Sequence, residues 1–330
     1  EISECLVGSE MCIRDRYDRF IGLTAQGGCV GDVVRFSNLL ESHVIGDPTF
    51  RFAPVPGSVD VDGLLLQNKA SSWKKLLKSP LPDVQSLAIE QLRRAGALSS
   101  ADLLRIYRES PYGVVRLEAL MALSATPDNH FITAVTEASQ DAYELVQRQA
   151  IRFIAKNGDR RLIPALIRLS IANNTSDRCN FNVMTALACF PKEDLLAEFD
   201  RQFDAPSVQY LDKNNLRGKI RNTIAHSADR LTTDIDKVVK GEASEKDRTF
   251  TIRALRNTLP HHKVPELLVY LQDCGDGNTQ ILLLEALGWH TVSCHAADIA
   301  ATALKMSEDA SLPNTVRQEA LKTYRRIHEK

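Results

Sequence analysis

The residues able to do chemistry fall into three groups. Cys29, in the run QGGCVGD from Gln26 to Asp32, is a nucleophile by type. A thiol needs a base beside it, and the histidine of that segment, His43, stands at the far end of a predicted helix. His261, His262, Cys274, His290, Cys294 and His295 are ligand types for zinc. They lack the regular paired spacing of a metal site, and adjacent histidines point apart on a helix. No catalytic residue, metal ligand or cofactor site is therefore expected. The third group is basic. Lys213, Arg217, Lys219 and Arg221, in LDKNNLRGKIRNT from Leu211, are the best candidates for contact with an acidic partner. Against that stands the plainer reading of a solvated helix face.

These groups must be positioned by helices, and the helices repeat. Val84, Ala88, Ile89 and Leu92 recur 31 residues on as Val115, Ala119, Leu120 and Leu123, and again as Val146, Ala150, Ile151 and Ile154. A fixed period in this range means stacked units, each burying one apolar stripe against its neighbours. The small alanines mark close helix approach. The register continues through Val183 and Leu187, Ile220 and Ile224, Ile252 and Arg256, Leu283 and Leu287, and Ala320 and Tyr324, about eight units in all. Arg256 is the one polar residue at a nominal core position. Partner helices are predicted between them: 101–109, 129–139, 160–172, 192–203, 232–240, 264–272 and 296–306. Pro111, Pro127, Gly158, Pro191, Pro260, Gly275 and Pro313 supply turns. Trp73 is expected to begin the core, Trp289 to plug a gap between repeats, and Leu321 and Tyr324 to pack inward.

The segments DVQSLAIEQL from Asp83, GVVRLEALMAL from Gly113, ELVQRQAIRFI from Glu144 and NTVRQEALKTY from Asn314 resemble HEAT repeats of the short PBS-lyase-like kind; DRRLIPALIRL from Asp159 resembles the first helix of such a repeat. The resemblance covers residues 64–330. It implies an all-α, right-handed α-solenoid whose concave face takes a partner. Arg116, Arg148 and Arg317 recur near the starts of inner helices; with Asp83, Asp141 and Asp177 they are read as structural bridges between neighbouring turns.

Residues 1–16 read differently. CLVGSEMCIRDR, Cys5 to Arg16, resembles a translated sequencing adapter, and Met11 to Asp15 reads back as ATG-TGT-ATA-AGA-GAC. The expectation is a fragment from an environmental assembly whose native start is missing, so the compartment stays open. The chain carries 41 basic and 42 acidic residues; setting aside the two bases and four acids of the first sixteen leaves 39 against 38. Such neutrality disfavours a non-specific nucleic-acid or membrane-surface binder. No apolar run is long enough to span a bilayer. The five remaining cysteines form no CxxC pair and no even framework, and are read as reduced.

Residues 17–53 read as the end of a truncated upstream domain: a helix over 31–43, a turn at 46–48 and a short strand over 49–52, with 54–63 as linker. HVIGDPTFRF, His43 to Phe52, resembles the closing elements of gingipain-type and caspase-like cysteine peptidase domains, whose catalytic His and Cys lie well before such a tail. The leading expectation is a non-catalytic, monomeric scaffold that docks a protein or peptide. A recognition region of a cysteine peptidase is the alternative, and a nucleic-acid-binding array ranks below both.

Overall fold

The computed structural model describes residues 20–37, 46–172, 176–205 and 208–328. The segment read as adapter, and His43, lie outside them. Among the described residues the chain is all-helical, with no strand. The helices are α1 (Val30–Ser37), α2 (Val61–Gln67), α3 (Ala70–Leu76), α4 (Pro82–Arg94), α5 (Ser100–Glu109), α6 (Gly113–Leu123), α7 (Asn129–Ala138), α8 (Glu144–Asn157) and α9 (Ile163–Ala172). There follow α10 (Asp177–Leu187), α11 (Lys192–Phe203), α12 (Lys213–Val239), α13 (Glu245–Ala254), α14 (Val264–Asp273), α15 (Gly277–Leu287), α16 (Ala296–Glu308) and α17 (Asn314–His328). They form two compact units, one ending at Leu123 and one beginning at Ser124.

Local chemistry sets the boundaries. Ser99 and Asp102 close a reciprocal capping box at α5, and the side chains of Asp128, Ser176, Ser244 and Asp276 accept first-turn N–H groups of α7, α10, α13 and α15. The C-termini use a second, repeated device. Arg116 donates to the carbonyl of Ser110 at 3.2 Å, Gln147 to Ser139 at 3.1 Å, Gln280 to Leu271 at 3.1 Å and Arg317 to Ser307 at 3.2 Å. Gln85 donates likewise to Ser79. Each donor sits near the start of one helix and satisfies a carbonyl that the end of an earlier helix leaves orphaned. The recurrence of a long polar residue straight after the core Val thus has a local cause.

In the first unit Trp73 is buried with Phe20, Leu23, Val61, Leu87, Ala88 and Leu92, and its indole N–H reaches Asn68 Oδ1 at 3.0 Å. Phe20 and Leu23, from the segment read as a remnant, therefore belong to the same core as α4. Residues 49–52, expected as a strand, pair with no other strand. The carbonyls of Pro48 and Phe50 accept instead from Gly31 and Val30, at 2.8 and 3.1 Å, at the start of α1. That pairing serves N–H groups that a helix start cannot satisfy internally.

In the second unit alternate helices are neighbours: α8, α10 and α12 in one row, α13, α15 and α17 in another, with α9 and α11, and α14 and α16, packed behind. Val146, Ala150, Ile151, Leu283, Leu287 and Ala320 are all at or below 1% exposure. Each such Val, Ile or Leu contributes about 1.5–3 kcal/mol by leaving water. The predicted helix over 232–240 is not separate: α12 runs unbroken for 27 residues. No Gly or Pro falls between Lys219 and Lys240, so nothing ends the helix at the expected turn. Register also slips once. Arg256 is exposed, and Leu255, one residue earlier, takes the core position at 0% exposure. At the C-terminal helix Leu321 is exposed and not inward, because the buried stripe runs through Val316, Ala320, Thr323 and Ile327.

Candidate functional site

Three places bring chemistry-bearing side chains together, and they differ sharply. The first is a junction of loops where Asn157, Gly158, Cys189, His261, Ser293 and Cys294 meet, although more than a hundred residues separate its ends. The His261 backbone N–H donates to the Cys189 carbonyl at 3.0 Å, and Cys294 N–H donates to the Asn157 carbonyl at 2.8 Å. Asn157 Nδ2 donates to the Val292 carbonyl at 2.8 Å. His261 Nε2 lies 2.9 Å from the Ala155 carbonyl and Nδ1 lies 3.0 Å from Ser293 Oγ. A carbonyl only accepts, so the neutral ring donates from Nε2 and accepts the serine hydroxyl at Nδ1. Gly158 adopts φ 72°, and a Cβ there would overlap the His261 ring.

Electrostatics at this junction favour neutral groups. Burial pushes His261 down to about 3 and His290 to about 4, each against the opposing pull of a carbonyl that accepts from the ring. Burial pushes the Cys189 thiol up to about 12. Enclosure of the Cys294 sulfur, although the residue as a whole is exposed, takes that thiol to about 11. Thiolates and imidazolium, the forms that react or bind anions, are both disfavoured. A cavity of about 450 Å³ borders the junction, lined in part by His262, Cys294 and His295. His295 pairs with Asp298 at 3.1 Å, and half-buried His262 keeps Nδ1 without a hydrogen-bond partner among the described residues. No three His, Cys, Asp or Glu side chains among the described residues converge as metal ligands. Cys274 lies apart, its sulfur near the carbonyls of Leu271 and Asp276. Cys29 donates to the Asp32 carboxylate at 3.1 Å, so its partner among the described residues is an acid.

The second place is the basic cluster on α12. Arg217 forms ion pairs with Asp200 at 2.9 Å and Asp204 at 2.6 Å, and Arg221 approaches Asp200 at 3.5 Å. Burial pushes Asp200 upward, but the hydrogen bonds and charges of Arg217 and Arg221 outweigh it and hold the carboxyl below its ordinary range. Lys213 donates to the Val208 carbonyl at 3.1 Å and lies over the Phe203 ring. Lys219 alone stands exposed without an ion pair among the described residues. The cluster is largely consumed within the chain.

The residues read as inter-repeat bridges are placed as follows. Arg116 and Arg317 cap helix ends, as above. Arg148 is 4% exposed, and Asp141 accepts from the Tyr143 N–H at 2.8 Å. Asp83 is half-buried against Gly22, its pKa raised by that burial, and Asp177 lies in the first turn of α10. Neither Asp83 nor Asp177 forms an ion pair among the described residues.

The third place was not apparent in the sequence. Beside α13, α15 and α17, residues 29 and 37 apart in sequence come together. Arg256 forms a bidentate pair with Glu285, including a 2.9 Å bond from Nε. Trp289, half exposed, donates to Glu285 at 2.7 Å and lies 4.9 Å beneath the Arg326 guanidinium. Glu319 pairs with Lys322 at 3.3 Å and with Arg326 at 3.7 Å. Burial would raise the Glu285 carboxyl, but hydrogen bonds from Arg256 and Trp289 bring it below its ordinary range. A groove of about 560 Å³ runs among Arg253, Asn257, Ile281, Leu282 and Glu319. The one sequence signal was Arg256, out of place as a core residue.

A scan against protein-family models and a search of curated proteins each found no match to this chain. No helix among the described residues is long and apolar enough to cross a membrane.

Proposed function

We propose that this chain is a HEAT-like α-solenoid that serves as a non-catalytic scaffold, docking a polypeptide on the surface formed by its inner helices. The observation that carries the reading is a set of bonds that recur at about one repeat. Ser176 donates to Glu144 and Cys179 to Gln147, each 32 residues back; Arg161 reaches Asn129, His261 meets Ser293, and Arg256 meets Glu285. Bonds at that spacing tie several hairpins to the next, as stacking requires, while the bonds at the His261 junction span several repeats. Stacking sets neighbouring inner helices side by side, so that their outward residues form a continuous surface on rigid elements. The buried, neutral state of His261, His290 and Cys189 fits a structural junction better than a reactive centre. Arg217 and Arg221, spent on Asp200 and Asp204, leave little of the basic stripe that nucleic acid would need.

The test is co-purification with the tagged chain, followed by reconstitution from purified components and titration. The reading predicts a saturable complex with a polypeptide that survives nuclease treatment. Retention of nucleic acid alone, or of no component that rebinds when purified, contradicts it.

A further inference from the structure

We infer that the groove among α13, α15 and α17 is the docking site, and that its occupant is a peptide segment carrying an acidic residue beside an aliphatic or aromatic one. The inference rests on the scaffold reading and names the place and the partner chemistry.

Charge points to the acidic residue. The groove is lined by Arg253 and Arg256 and by Glu285 and Glu319, with Lys322 and Arg326 beside Glu319. Glu285 is engaged by Arg256 and Trp289, and Glu319 by Lys322 and Arg326. Arg253 is exposed and has no partner among the described residues, yet it lines the groove. A guanidinium is a planar fork of donors that fits a carboxylate in two-point geometry, and none of its donors is used among the described residues.

Shape and exposure point to the apolar neighbour. Phe250 is 74% exposed and stands one helical turn before Arg253, so the two share a face of α13. Across the groove, Ile281 and Leu282 of α15 are only partly buried. Trp289, 47% exposed, bonds the lining residue Glu285 and lies under the Arg326 guanidinium. An exposed aromatic beside an unpaired arginine, framed by ion pairs, has the make-up of an interface hot spot with its polar rim. The groove volume lies in the range of sites that accept a few side chains. The backbone of such a peptide could be met by Asn257, an exposed lining residue with no side-chain bond among the described residues.

The experiment is selection of a library of displayed random peptides on the purified full chain, repeated on Arg253→Glu, Phe250→Ser and Lys219→Glu. All three residues are exposed, so folding is checked simply by an unchanged melting curve. Enriched peptides should pair Asp or Glu with Leu, Ile or Phe. Arg253→Glu and Phe250→Ser should each weaken a selected peptide at least about tenfold, and Lys219→Glu should leave it unchanged. Enrichment of basic peptides, or binding insensitive to Arg253→Glu and Phe250→Ser, overturns the assignment. If sensitive positions then fall on other inner helices, the scaffold reading stands and this groove falls. No saturable enrichment at all contradicts this inference. A single-stranded RNA oligonucleotide bound at equal affinity and lost with Arg253→Glu would also contradict it, in favour of a nucleic-acid ligand.

Discussion

The loop junction around His261 and the groove beside Arg253 lie in the same unit, and each gathers polar residues from distant points of the chain. At the junction the reactive types are closed in: His261 is 2% exposed, and its ring and backbone make bonds to Ala155, Ser293 and Cys189. At the groove the residue types are ordinary, but Arg253 and Phe250 face water. The contrast teaches that residue type is a poor guide to function in a repeat array. Histidines and cysteines can be spent on holding loops together, while an arginine at an outward position stays available to a partner.

The sharpest way to break the comparison is at Gly158. Gly158→Ala adds a methyl at positive φ directly against the His261 ring, and should cost about 3 kcal/mol or more, seen as a large fall in melting temperature. Gly241→Ala has φ 73° but no atom within 4 Å of the added methyl, and should cost only about 1 kcal/mol. Equal losses at the two glycines would show that backbone strain, and not the packed junction, is responsible.

Overpacking comes next. Ala150→Leu, at 0% exposure between α8 and its neighbours, should destabilise by about 1–3 kcal/mol. An unchanged melting curve would refute the close-packing role of the repeat alanines.

Acidification then separates the two regions. His261 and His290 have folded values near 3 and 4, below the unfolded value near 6.5, so the unfolded chain binds protons first. Their neutral-state stability is fully present above pH 6.5 and is lost as pH falls toward 4, by up to about 1.4 kcal/mol per pH unit for each histidine. The groove carboxylate of Glu285 is held below its ordinary range and begins to lose its contribution only at lower pH. Chemical denaturation at pH 7, 6 and 5 should show this slope, and His290→Gln should flatten it. A flat profile from pH 7 to 5 in the parent chain would mean that the junction is open to water. The smallest expected effect is at the groove itself: Arg253→Ala should change stability by less than about 0.5 kcal/mol, because it loses no partner within the chain.

Much of the fold could be read from spacing. Ala88, Ala119 and Ala150 at intervals of 31 residues are each 0% exposed, as close helix packing demands. The reading failed where a local signal was missing or weak. The unbroken α12 has no Gly or Pro to end it near Thr232, so a period imposed on the sequence produced a turn that the backbone has no reason to make. Leu255 and Arg256 lie just past the end of α13, where the turn sends Leu255 into the core and leaves Arg256 at the surface. On α17, where successive residues turn through about 100° each, Leu321 follows buried Ala320 and faces outward. The candidate site was illegible for a different reason. Arg253, Ile281, Leu282 and Glu319 carry no motif, and only the stacking of α13, α15 and α17 brings them together. The sequence drew attention instead to Arg217 and Arg221, whose partners Asp200 and Asp204 sit 13–21 positions earlier and are paired only by the fold.

Hydrogen exchange on the full chain, alone and saturated with a selected acidic–apolar peptide, tests the central claim most directly. The account predicts slowed exchange confined to α13, α15 and α17 around Phe250–Asn257, Ile281–Trp289 and Glu319–Arg326, with the junction at Gly158, His261 and Cys294 already protected and unchanged. Protection gained at the junction, with none on those three helices, would contradict it.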